Sequence, residues 1–107
     1  MVDTTIPGIA RRYLQRLVSL GVVVERGIIF GSHARGEASN WSDIDLIVVS
    51  PRFDAPRTRD DLNLLWRVAV REDSRIEPIP CGSKEWLEGK TSAIVEMARR
   101  EGKELAP

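Results

Sequence analysis

The sequence predicts an α/β (α+β) domain, a small mixed β-sheet with helices packed on it. Three observations carry that prediction. Apolar residues recur three and four positions apart in separate amphipathic segments, while other short segments are β-branched and apolar. The two kinds of segment are interspersed along the chain, the order that layers helices onto a sheet. With 107 residues there is room for one modest core, so a single domain over residues 1–107 is expected.

The first helix follows Pro7 and Gly8, with Ile9, Tyr13, Leu14, Leu17, Val18 and Leu20 on one face and Arg11, Arg12, Gln15 and Arg16 on the other. Gly21 is its natural stop. VVVERGIIF reads as a strand or short paired segment ending at Phe30, with a polar interruption at Glu25 to Gly27. His33 to Ser42 is polar and small, a loop or short helical turn, and DIDLIVVS is the second strand, closed by Pro51. After the loop RFDAPRTR, a second amphipathic helix starts near Asp60 and presents Leu62, Leu65, Trp66 and Ala69. RIEPIPC contains two prolines that cannot donate ladder hydrogen bonds, so it is an edge strand. Ser83 and Thr91 are plausible N-caps for a short helix (84–87) and a final helix (92–100) that ends at Gly102. The resulting order is helix, strand, strand, helix, strand, helix.

Composition narrows the function classes. Sixteen Lys and Arg balance sixteen Asp and Glu, which disfavours a long nucleic-acid partner. The single cysteine, Cys81, forms no internal disulfide and offers no zinc-ligand spacing, as suits a reducing compartment. The N-terminus does not look like a signal peptide, and no apolar run is long enough to span a bilayer, so a cytoplasmic location away from membranes is expected.

One stretch carries chemistry: GSHARGEASNWSDIDLIVV, Gly31 to Val49. Side chains at i and i+2 of a strand point to the same side, so Asp43 and Asp45 project together at the mouth of an apolar run. Two adjacent carboxylates repel each other, and one is driven toward protonation unless a cation bridges them. Magnesium is the fitting cation, because it takes hard oxygen ligands from one or two carboxylates and completes its shell with water and substrate phosphates. The Gly31-Ser32 pair ahead of the acids suits a phosphate, since glycine lets the backbone approach and the serine hydroxyl and nearby amides donate to its oxygens. A Mg-nucleotide is the ligand this combination implies.

These residues resemble the DNA polymerase β-type nucleotidyltransferase superfamily, whose signature is Gly-Ser, a short loop and then Asp-x-Asp. The Ala-Arg-Gly-Glu in the loop resembles the minimal (MNT) branch, and the similarity covers nearly the whole chain, including an EGKEL ending like the family's terminal helix and strand. The resemblance implies a nucleotidyltransferase fold in which Gly31 and Ser32 contact the nucleotide triphosphate and Asp43 and Asp45 bind two magnesium ions. It implies that Glu77, at a position usually Asp in the family, is the third metal-binding and catalytic acid. It also implies a partner and a reaction. Small members pair with a HEPN-domain toxin as its antitoxin in a hetero-oligomer, and transfer AMP from ATP onto a hydroxyl of that toxin, often a tyrosine's. The alternatives are a non-catalytic nucleotide-binding antitoxin that occludes its partner, and nucleotidyl transfer to a small molecule.

Other residues take plainer readings. Arg35 has two, steadying phosphates or bracing Asp43, Asp45 or Glu37 in an ion pair, and the brace is the simpler. His33 is read as a solvated loop residue rather than a general base. Trp41 is read as packing locally rather than on a base or partner, and Trp66 and Trp86 as core. Cys81 is read as a small buried hydrophobe. The arginines of the loop from Arg52 to Arg59 form a candidate docking surface.

Overall fold

β2 (Ile44–Val49) is apolar at every residue except Asp45 because it is covered on both faces. The computed structural model describes residues 3–39, 41–54, 56–88 and 92–107. Ile44, Leu46 and Val48 pack with α1 (Ile6–Ser19) and α3 (Arg59–Glu72), through Tyr13, Leu14, Leu17, Leu65, Val68 and Ala69. Ile47 and Val49 face the other way, toward Trp86 of α4 (Ser83–Glu88) and Val95 and Ala98 of α5 (Ala93–Glu101). The result is a three-layer arrangement with a mixed sheet in the middle; the mixed sheet with helices packed on it is as expected, and the placing of helices on both faces is what the structure adds.

The sheet has the order β3-β2-β1-β4. β1 (Arg26–Phe30) pairs antiparallel with β2, bringing Phe30 opposite Asp45. β3 (Ile76–Cys81) is the expected edge strand and runs parallel to β2, with Asp45 opposite Glu77. A parallel neighbour requires a crossover, and α3 supplies it. The other edge is β4 (Lys103–Leu105), antiparallel to β1. This fourth strand is absent from the order read off the residues, although the resemblance implies it. It is three residues long and two of them are charged, so no strand pattern announces it.

Several boundaries differ from expectation. The first strand begins at Arg26; Val22 and Val24 are buried ahead of it while Val23 points outward. α1 stops as expected, with Gly21 at φ +95°, but Val18 and Leu20 are exposed. α3 is rotated from the predicted face. Leu62 and Trp66 are exposed, so Trp66 is not core, and Asp61, Leu65, Val68 and Ala69 turn inward. The cause is at the start of the helix: Thr58 and Asp61 form a capping box, and Asp61 also accepts from Arg52 at 2.8 Å. That double tie holds Asp61 inward and swings Leu62 out. Tyr13 secures the same helix by donating its hydroxyl to the Leu65 carbonyl at 3.0 Å, and its burial raises the phenol's pKa.

Ser83 does not act as the cap of the short helix. Its amide and that of Lys84 donate to the Asp54 carboxylate at 3.1 and 3.0 Å, so Asp54 covers that helix end. Ser92 caps α5, accepting from the Val95 amide, and Thr91 lies outside the described residues. Trp86 is buried with the Arg99 guanidinium 5.6 Å above its ring centre. Cys81 is fully buried, as expected, and burial pushes its thiol up to about 12. Among the described residues no helix is long and apolar enough to cross a membrane.

Candidate active site

The end of the sheet where β1 finishes and β2 and β3 begin is where the chemistry-bearing residues meet. Gly31 leaves β1 at φ +73°, and a Cβ there would collide with the Asp45 carboxylate. Glycine is therefore required twice over, for its backbone and for the space beside an acid. The chain then turns into α2 (Ser32–Arg35), a single turn in which the Ala34 and Arg35 amides both donate to the Gly31 carbonyl at 3.1 Å. Ser32 thus opens a helical turn directly beside Asp45.

Asp43 immediately precedes β2 and is exposed, whereas Asp45 is half-buried within it. Glu77 comes from the parallel neighbour, opposite Asp45 on the α4/α5 face. The three carboxylates interact directly. Burial pushes the pKa of Asp45 up, and Asp43 adds to this, while a hydrogen bond with Glu77 and the nearby His33 and Arg35 oppose it. Burial also raises Glu77, followed by repulsion from Asp43 and Asp45 and by hydrogen bonds to both. Asp45 and Glu77 therefore both hold a proton more readily than isolated carboxylates do, and they share it as a coupled pair.

Among the described residues, none of the three acids is in an ion pair. No group of three or more His, Cys, Asp or Glu among those residues is disposed as a ready-made metal cage either. The three carboxylates are nonetheless hard oxygen donors of the type that could hold a magnesium ion. Magnesium is held by one or two carboxylates plus substrate phosphates rather than by an all-protein cage, and adjacent acids with raised pKa values are relieved by such a cation.

The remaining candidates are placed as follows. Arg35 donates to Glu37 at 2.7 Å and to Glu101 of α5 at 3.0 Å, so its guanidinium braces α2 against α5. Glu101 went unnoticed in the sequence, which has no local signal for a partner so distant along the chain. The His33 ring is half-buried, with Nε2 3.3 Å from the Ser42 carbonyl. Trp41 does not pack locally, being 90% exposed. The arginine loop lies at the opposite end of β2 and is largely neutralised: Arg52 pairs with Asp61 at 2.8 Å and Arg57 pairs with Glu85. That speaks against a basic docking surface there. A cleft of about 440 Å³ adjoins this end, lined by Phe53, Asp54, Pro56, Arg57 and Glu85, well away from the acids.

Comparison with known proteins agrees with this geometry. Solved structures similar to the chain include a Sulfolobus solfataricus protein assigned as a nucleotidyltransferase, 23% identical with a TM-score of 0.62 over 79% of this chain and 74% of that one. A toxin–antitoxin structure with AMP-PNP is 18% identical, with a TM-score of 0.61 over 89% of this chain and 71% of that one. A protein described as a minimal nucleotidyltransferase is 25% identical, with a TM-score of 0.56 over 96% and 98% of the two chains. No curated protein matches the sequence. The nucleotidyltransferase domain family matches residues 10–97, most of the chain and all three acids, and the protein belongs to that family.

Proposed function

We propose that the protein transfers a nucleoside monophosphate, AMP from ATP, to a hydroxyl on a partner protein in the cytoplasm. The partner would be a HEPN-domain toxin for which this chain is the antitoxin. The observation that carries the transfer is the convergence of Asp43, Asp45 and Glu77, none of them in an ion pair among the described residues, beside the Gly31-Ser32 turn. The fold's likeness to a toxin–antitoxin structure with AMP-PNP supports the partner class.

In this reading Gly31 admits the triphosphate close to the backbone, and the Ser32 hydroxyl donates to a phosphate oxygen. Asp43, Asp45 and Glu77 would hold two magnesium ions, which when bound neutralise the phosphates and the developing charge. Glu77, beside Asp45, orients the acceptor hydroxyl and takes up its proton. The hydroxyl oxygen bonds to the α-phosphorus, the bond to the β-phosphate bridge breaks, and pyrophosphate leaves. Arg35, tied to Glu37 and Glu101, fixes the turn that carries Ser32.

A second reading, a binding module that neutralises its partner without chemistry, is favoured by one observation. Leu62, Trp66 and Val70 form an exposed apolar line along α3. Incubation with labelled ATP, magnesium and a co-expressed HEPN partner, followed by mass spectrometry of both proteins, separates the two. Transfer is expected as an adduct of AMP mass on the partner that disappears in Asp43→Asn and Asp45→Asn. Wild-type protein that neutralises the partner with no adduct would favour the binding module.

A further inference from the structure

The indole of Trp41 stands apart from the other two. Trp86 is buried, and Trp66 lies in an apolar line on α3, whereas Trp41 is 90% exposed two residues before Asp43. From Gly31 to Asp45 it is the only exposed large hydrophobic side chain among the described residues. Its backbone is nevertheless tied down. The Trp41 amide donates to the Ser39 hydroxyl at 3.3 Å, the Ser39 amide to the Ser42 hydroxyl at 2.9 Å, and the Ser42 amide to the Ser39 carbonyl at 3.2 Å. His33 meets the Ser42 carbonyl from α2. These hydrogen bonds of Ser39, Trp41 and Ser42 thus hold a large flat ring in water at the rim of the acidic site.

We propose that Trp41 is the surface on which the nucleobase of the bound nucleotide stacks, a nucleotide-binding role that rests on the nucleotide site described above. Reach is suitable, since Trp41 is two residues from Asp43, a span of at most about 7 Å, the order of distance between a nucleotide's reacting phosphate and its base. Form is suitable as well. A hot spot for a protein partner sits amid contacts that exclude water, whereas a base needs one ring face. Among the described residues from Ser39 to Asp43, Trp41 has no apolar chain neighbour, only Ser39, Ser42 and Asp43. Stacking of this kind accepts any base, so Trp41 would hold the nucleotide through its π-face rather than read its edges.

Calorimetric titration of wild type, Trp41→Ala and Trp41→Phe with Mg-ATP and with magnesium tripolyphosphate tests the proposal. Trp41→Ala is expected to weaken Mg-ATP binding about 5- to 100-fold, while tripolyphosphate binding stays at the wild-type level and Trp41→Phe keeps most of the ATP affinity. Equal ATP affinity in wild type and Trp41→Ala would overturn the stacking role and leave the nucleotide site standing. Parallel loss of both ligands in Trp41→Ala would also overturn it, by showing that the residue supports the loop. Wild type that binds neither ligand would overturn the nucleotide site, and this role with it.

Discussion

The two ends of β2 treat negative charge in opposite ways. At its C-terminal end Asp61 accepts from Arg52 and from the Thr58 amide, and Asp54 covers the first amides of α4. The Thr58 amide, with help from Arg52, holds Asp61 below the usual carboxylate range. At the N-terminal end Asp45 and Glu77 are both raised from their ordinary values, Asp45 by desolvation and the nearby Asp43, Glu77 by desolvation and by both aspartates. One end commits its acids to the fold; the other leaves them outside any ion pair among the described residues. In linkage terms, ionising Asp61 stabilises the native state, and ionising Asp45 or Glu77 weakens it.

Three substitutions test this contrast. Gly31→Ala should have the largest effect, since it strains a positive φ and drives a methyl into the Asp45 carboxylate. Transfer activity is expected to fall about 100-fold or more, with about 1–3 kcal/mol lost in denaturant unfolding. An active, stable Gly31→Ala protein would show that Asp45 does not depend on that close contact. At the other end, Asp61→Ala removes half of the capping box and strands Arg52, so a loss of about 1–2 kcal/mol with unchanged activity per folded molecule is expected. Its depressed pKa means that the Asp61 contribution is present above the ordinary value of 3.8 and disappears as pH falls, so wild type and variant should converge in acid.

Glu77→Gln should produce the smallest change in stability, and in the opposite direction. A raised folded pKa means that stability is full below the ordinary value of 4.5 and is lost as pH rises through the folded value. Without added metal, the glutamine variant should melt a few degrees above wild type at neutral pH and alongside it in acid. Identical melting at both pH values would mean that Glu77 is not crowded by its neighbours.

Much of this was legible in the sequence, for reasons particular to each residue. Asp43 and Asp45 could be read because two acids at strand spacing ahead of an apolar run are a local pattern, and Gly31-Ser32 stands close before them. Glu77 is different. It meets Asp45 only through parallel pairing across the α3 crossover, a contact that no local spacing encodes, so the family resemblance rather than the residues pointed to it. Trp66 was misplaced because Leu62, Leu65, Trp66 and Ala69 fit a helical stripe as well as Leu65, Val68 and Ala69 do. The capping box at Asp61 decides between them. The arginine loop looked free because its partners Asp61 and Glu85 lie beyond the segment itself.

The prolines of β3 have a consequence for assembly. The Arg75 and Cys81 carbonyls accept from the Ile44 and Ser50 amides, so odd-numbered residues of this strand turn toward β2. Pro78 and Pro80 therefore turn outward, and the open margin beside the acids lacks two donors that an incoming strand would need. The opposite margin, β4, is only three residues long. Neither rim of the sheet invites β-augmentation or edge-to-edge aggregation, which leaves helix faces and loops as the routes by which another protein can approach.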